Sequence, residues 1–455
     1  MVKKSQEYIV KIDTLNHQAQ GIARIDGFVV FVDNVLIDEV AKIKIEEVKK
    51  EYAKANLVEI LEKSPYRKDP ECPYYDFCGG CHLMHAKYQH QLSLKKLLVE
   101  DAFKRIGKLS PKINDVIGTE NPFRYRNKTA LPVGGDYKKP QIGFYKKMTH
   151  DIVDINYCLI QHEFCDNVIK GMKDLIQKHK IEVYDEKKHK GVLRHIVVRN
   201  SFAFDEMMII LVCTKVPENL EAIKNDILDK FPKIKSLYVN LNPKRTNVIL
   251  GEEDILIWGS STIKDKIGNL TFEISPKSFF QVNSMQTEVL YRQVVKYLMN
   301  VEAEIVFDIY SGIGTISMFV APFCKKVYAI ELVRDAVEDA KKSSKNNGIS
   351  NIEFICGRAE IEIPKLLKSG VIPQAVILDP PRTGCEKQLL ESLVEHKIPN
   401  IIYVSCNPST LARDSSILFS NGYEILEVQP VDMFPQTFHV ECVVLMTNVK
   451  KQISA

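Results

Sequence analysis

Ile305-Val306-Phe307-Asp308-Ile309-Tyr310-Ser311-Gly312-Ile313-Gly314-Thr315 runs from an apolar strand through a glycine turn into the start of a helix. The unbroken apolar run reads as a strand buried on both faces. Gly312 and Gly314 let a ligand approach backbone N–H groups at the helix start. About twenty residues on, Val327-Tyr328-Ala329-Ile330-Glu331 reads as a second strand ending in an acid. A carboxylate there can accept hydrogen bonds from both hydroxyls of a ribose. Either feature alone is weak; strand, D-x-x-x-G-x-G, helix, strand and terminal Glu in that order predict an α/β fold of the Rossmann-like kind.

The loop lacks the third glycine of the dinucleotide fingerprint, which favours S-adenosylmethionine, with no pyrophosphate to cradle, over NAD. Asn351–Cys356 supplies a third strand, and Ala375–Leu378 a fourth that ends in Asp379-Pro380-Pro381-Arg382. Asp379 reads as a turn or cap residue or, at a strand's carboxyl end, as a functional acid. Ile401–Val404 is a further buried strand, stopped by Pro408, so Cys406 lies where strand meets loop. A small core residue is the plain alternative for that cysteine. Upstream, Phe279–Asn283 leads into a helix with Asn283 and Gln286 spaced as a capping box.

At 455 residues the chain exceeds one comfortable core, so two or three domains are expected. A 45% hydrophobic and 26% charged composition is that of an ordinary globular protein, and a net charge of +4 says little about nucleic acid. No apolar run reaches membrane-spanning length and the start is not signal-like. A cytoplasmic, membrane-free protein is therefore expected, whose 11 cysteines are not a disulfide framework.

Residues 1–62 read as a small β-barrel of the OB type. Short β-rich runs at Tyr8–Ile12, Phe28–Val32, Val40–Ile45 and Ala55–Leu61 are punctuated by turns at Gly21, Asp26-Gly27 and Asp33-Asn34. Lysines 42, 44, 49, 50 and 54 would meet phosphates or simply solvate a face. The module resembles a TRAM domain, which implies RNA binding. Next, Cys72, Cys78 and Cys81 form C-x5-C-x2-C around Gly79-Gly80, with Cys158 far downstream. Such a set suits a metal or iron–sulfur site, and one triple plus a distant single favours a cluster over zinc. An amphipathic helix at 91–107, ended by Gly107, is expected to pack on the C-terminal domain. The stretch 110–270 mixes strands and helices, and within it Phe123–Lys128 interleaves aromatics with cations, as a base-stacking segment or an edge strand would. The expected domains are thus 1–62, an α+β central domain at 63–274, and the cofactor domain at 275–455.

The motifs D-I-Y-S-G-I-G-T, D-P-P-R-T-G, S-C-N-P-S-T-L-A-R-D and V-D-M-F-P-Q-T-F-H-V-E together resemble the RNA (uracil-5) methyltransferases over essentially the whole chain. By that resemblance Cys406 is the nucleophile and Glu441 the base that removes the C5 proton. Gln281, Tyr310, Gly312, Thr315, Glu331 and Asp379 match cofactor-binding positions, and Cys72, Cys78, Cys81 and Cys158 match ligands of a [4Fe–4S] cluster. Ser311 and Thr315 depart from the Cys and Asn found in many members. The cluster and the TRAM-like front resemble the 23S rRNA enzymes and imply that substrate, with tRNA as the alternative; a monomer is expected. A cytosine-5 enzyme would carry its cysteine directly after the Asp379-Pro380 step, whereas Cys385 lies further on. A non-catalytic RNA-binding iron–sulfur protein is the reading from another class. The chemistry also expects a site that lowers the Cys406 pKa or deprotonates it locally.

Overall fold

The structure is a computed structural model that describes residues 2–449. Its C-terminal sheet comprises β1 (Ile305–Ile309), β2 (Lys326–Glu331), β3 (Ile352–Cys356), β4 (Ala375–Leu378), β5 (Asn400–Ser405), β6 (Tyr423–Val431) and β7 (Glu441–Asn448). Their order is β3-β2-β1-β4-β5-β7-β6, with β1 to β5 parallel and β7 antiparallel to both neighbours. Chain direction across the sheet reverses between β1 and β4, which opens a crevice at their carboxyl ends. All four residues of β4 are buried, and only Ile305 of β1 is partly exposed, so the apolar run follows from burial on both faces.

Residues 7–62 form a six-stranded β-module around Val10, Ile12, Val30, Ala41 and Ile43. Gly21, expected in a turn, instead begins the strand Gly21–Ile25. Between the module and the C-terminal sheet in sequence comes a seven-stranded mixed sheet whose strands run from Lys128–Gly135 to Glu253–Gly259, covered by the helices Glu163–Lys178 and Leu220–Lys230. No helix among the described residues is long and apolar enough to cross a membrane.

The helix expected at 91–107 spans Tyr88–Ala102 and continues as a wide turn through Phe103–Gly107. Both parts pack on the helix Pro408–Ser420 behind β5. Lys108, at φ 54°, closes the helix rather than Gly107. Gly107 is needed for approach: a Cβ there would lie 2.9 Å from the Ala412 carbonyl oxygen. Ile113 and Ile117 then bridge to Val428 and Val431 beside β6. A segment that precedes the central sheet in sequence thus belongs in space to the C-terminal one.

Only half of the expected capping box forms. The Asn283 side chain accepts from Gln286 N at 3.2 Å, but Gln286 Nε2 donates to the carbonyls of Gly118 and Asp432. The arm that would have closed the box holds a distant loop instead.

Candidate active site

In the antiparallel pairing of β5 with β7, Ser405 stands opposite Cys442. Cys406 follows β5 directly and Glu441 precedes Cys442 on β7, so the two strand ends bring the Glu441 carboxyl near enough to act on the Cys406 thiol. Cys406 is followed at once by the N-cap of the next helix, where Asn407 accepts from Ser409 N at 3.1 Å. Burial, then Glu441 and Asp379, push the Cys406 thiol up to about 11, while Arg382 pulls it down. Low dielectric and the two neighbouring acids thus push the thiol the opposite way from the lowering that the chemistry leads one to expect. Glu441 is raised to about 8 by burial and by Asp379, against the pull of Arg382.

Cys406 opens onto a cavity of about 470 Å³ between the two ends of the chain. Asn16, His17, Gln18 and Phe31 of the β-module line one side, Arg382, Phe438 and His439 the other. Cys385, the alternative cysteine, is buried in the core beside Leu389 and Leu390, and its N–H donates to Asp414 at 2.9 Å. It is not among the residues that line the Cys406 cavity.

Of the expected cofactor residues, Tyr310, Gly312, Glu331 and Asp379 lie at or just past the carboxyl ends of β1, β2 and β4. Tyr310 follows β1 at φ 63° and Gly312 at φ 55°. A Cβ at Gly312 would meet nothing within 4 Å, so the turn faces open space; one at Gly314 would strike Phe354 at 2.9 Å. Glu331 ends β2 and accepts from Gly312 N at 2.9 Å and Val333 N at 2.8 Å, tying the second strand to the glycine turn. The Thr315 hydroxyl bonds Tyr291 at 2.8 Å rather than the open side. Asp379 follows β4 and is raised to about 7 by burial and by Asp308. Gln281 comes from the segment before the helix Ser284–Asn300, its carbonyl held by Asn127 at 2.9 Å. An open glycine cradle with a carboxylate at the next strand end fits the ribose and amino-acid parts of S-adenosylmethionine.

What the sequence did not reveal is how the loop before Glu441 is held. Gln91 Nε2 donates to Gln436 Oε1 at 2.9 Å and Gln436 N returns a bond to Gln91 Oε1 at 3.1 Å. The backbone N–H groups of His82 and Leu83 both donate to the Gln436 carbonyl, at 2.9 and 3.0 Å. Gln436 itself is fully buried at φ 69°, a conformation that these partners must hold. Lys95 Nζ bonds Asp432 at 2.5 Å and the Phe434 carbonyl at 3.0 Å, with both charged groups fully buried. A lysine in line with the apolar Leu94 and Leu98 of an amphipathic helix was the one available signal. Lys95→Met would leave Asp432 buried without its cation, at a cost of about 3–5 kcal/mol. Urea unfolding of the full chain should read that loss.

Cys72, Cys78, Cys81 and Cys158 line a single cavity of about 320 Å³ together with Arg126 and Lys128. Among the described residues no three His, Cys, Asp or Glu side chains converge to hold one metal ion. The four thiols share the lining of one cavity without converging on a single point. Phe123–Lys128 is not an open stacking surface. Tyr125 is buried with its hydroxyl on the Pro435 carbonyl, and Arg124 pairs with Asp166 at 2.8 Å.

Residues 87–449 match the family described as tRNA (uracil-5-)-methyltransferase, and residues 2–58 match the TRAM domain. An uncharacterized RNA methyltransferase of Clostridium acetobutylicum is 47% identical over 99% of each chain, and one of Bacillus cereus is 46% identical over 99% of this chain and 98% of its own. The Pyrococcus abyssi tRNA (uracil-54, C5)-methyltransferase, solved with S-adenosyl-L-homocysteine, superimposes with a TM-score of 0.78. It is 29% identical and covers 96% of this chain and 99% of its own. A TRAM module, a β3-β2-β1-β4-β5-β7-β6 sheet and a family match across most of its length agree: the chain belongs to the S-adenosylmethionine-dependent RNA uracil-5 methyltransferases.

Proposed function

We propose that this enzyme methylates carbon 5 of a specific uridine through a covalent bond between Cys406 Sγ and carbon 6 of the base. The observation that carries the reading is that Cys406, just past the end of β5, lines a cavity and has the Glu441 carboxyl at the start of β7 close enough to act on its thiol. Carbon 5 of uracil is too weak a nucleophile to take a methyl group unaided. Addition of the Cys406 thiolate forms the Sγ–C6 bond and moves the ring electrons into an enolate with density at carbon 5. S-adenosylmethionine supplies the electrophilic methyl group, and Gln281, Tyr310, Gly312, Thr315, Glu331 and Asp379 are the residues proposed to hold it. Glu441 then takes the C5 proton. The electron pair left behind restores the C5–C6 double bond, and the Sγ–C6 bond breaks with its electrons returning to Cys406. The base must be unstacked to reach the cavity, so the RNA presents it from a loop or a refolded segment.

For the substrate we propose 23S rRNA, on the strength of the TRAM module and the four-cysteine site. The likeness to the Pyrococcus abyssi tRNA enzyme favours a second reading, tRNA, because it extends over 96% of this chain, front module included. Mapping 5-methyluridine in rRNA and tRNA from cells with and without the gene decides between them. Loss of one 23S rRNA mark with tRNA unchanged is expected; loss confined to tRNA would refute the rRNA reading.

The four cysteines are proposed to hold a [4Fe–4S] cluster that fixes their loop. Protein purified without oxygen should carry about four iron atoms per chain, and Cys81→Ser should lose them together with the visible absorbance. Stoichiometric zinc in place of iron would refute the cluster.

A further inference from the structure

Three observations converge on Arg382. It lines the cavity onto which Cys406 opens. Its loop is sewn to the loop of that cysteine, since Asn407 Nδ2 and Thr410 Oγ1 donate to the Arg382 carbonyl at 3.0 and 3.3 Å. Its guanidinium forms no hydrogen bond or ion pair among the described residues, whereas its neighbours are spent: Arg105 pairs with Asp101 at 3.1 Å and Arg413 with Asp414 at 2.8 Å.

The groups around the thiol otherwise work against its ionisation. From β7 comes Glu441, and from the end of β4 comes Asp379; neither carboxyl is in an ion pair among the described residues. His439 is pushed down to about 3 by burial and by Arg382, so it is neutral and offers no charge. His17 stands exposed on the β-module side, and Asp101 with Arg105 on the helix side is a closed pair. An ionised Cys406 would add to the negative charge that Glu441 and Asp379 carry once they ionise, and Arg382 is the uncompensated cation beside it.

We propose that Arg382 is a positioning residue whose unpaired charge stabilises the Cys406 thiolate and sets how readily the nucleophile forms. The proposal rests on the reading of Cys406 as the nucleophile. The alternative duty for an exposed arginine at such a mouth is a contact to an RNA phosphate, which would leave the thiol untouched.

The test is alkylation of the RNA-free, full-length protein by iodoacetamide across the pH range, read by mass spectrometry on the Cys406 peptide. Arg382→Gln is expected to slow alkylation at pH 8 by about three- to tenfold and to move the profile to higher pH, with Arg382→Lys restoring most of the rate. An unchanged profile in Arg382→Gln overturns the proposal. Should that variant instead bind RNA more weakly, with a salt slope smaller by about one, Arg382 is a phosphate contact. Denaturant-resistant RNA adducts of the wild type are measured in parallel. Their absence would sink the nucleophile reading, while the alkylation profile still decides the effect of the Arg382 charge.

Discussion

Cys406→Ala should abolish turnover, by at least about 10⁴-fold, and with it every covalent protein–RNA adduct. The loss is large because no other group near the cavity can replace the thiol. Cys385 is buried behind Leu389 and Leu390, and Cys442, the strand neighbour of Glu441, is fully buried as well. Without Sγ addition the uracil ring has no electron density to offer at carbon 5, so binding of RNA and of S-adenosylmethionine should survive while chemistry stops. Denaturing gels with labelled RNA would follow the adduct, and calorimetry the cofactor. Normal turnover in this variant would refute the mechanism.

Glu441→Gln should behave differently: the methylated adduct forms and then accumulates. Glutamine keeps the size of the buried side chain but cannot take the C5 proton, so release falls by roughly 10²–10⁴-fold. In the wild type the same step has a pH signature. The base form is the carboxylate, and burial raises Glu441 to about 8, so the reactive form is scarce at low pH. Adduct release should rise about tenfold per unit as pH climbs toward 8 and level off above it, and the slope should vanish in the glutamine variant. Rapid-quench single turnovers resolve this step. Release independent of pH in the wild type would assign the proton to another group.

The C-terminal architecture was legible because its signals are local. An apolar strand, a glycine turn and an acid at the next strand end lie within one short stretch, and each has a single physical reason to be there. Cys406 was readable only as a cysteine where strand meets loop and Glu441 only through the family motif, and the pairing of β5 with β7 brings their strand ends together. The thiol's ionisation was not legible, because it depends on burial and on Asp379, which arrives from a different strand. Nor were the Gln436 contacts, since a glutamine in a loop and another in a helix carry no periodic signal. Gln286 shows how local pattern misleads: spaced as one arm of a capping box, it bonds Asp432 instead. Phe123–Lys128 misled in the other direction, its exposed-looking alternation being drawn inward by Pro435 and Asp166.

Gln91 and Gln436 meet across 345 positions of sequence, and Lys95 and Asp432 across 337. Contacts so remote along the chain cannot form while the protein is still being made. The β-module and the central sheet can fold as they leave the ribosome, but the helix Tyr88–Ala102 must wait, its buried lysine without a counter-ion, until residue 432 has been synthesised. The loop that leads into Glu441 is therefore among the last parts to set. A nascent chain released early would own its RNA-binding front yet have no finished centre, and so could not alkylate RNA out of turn.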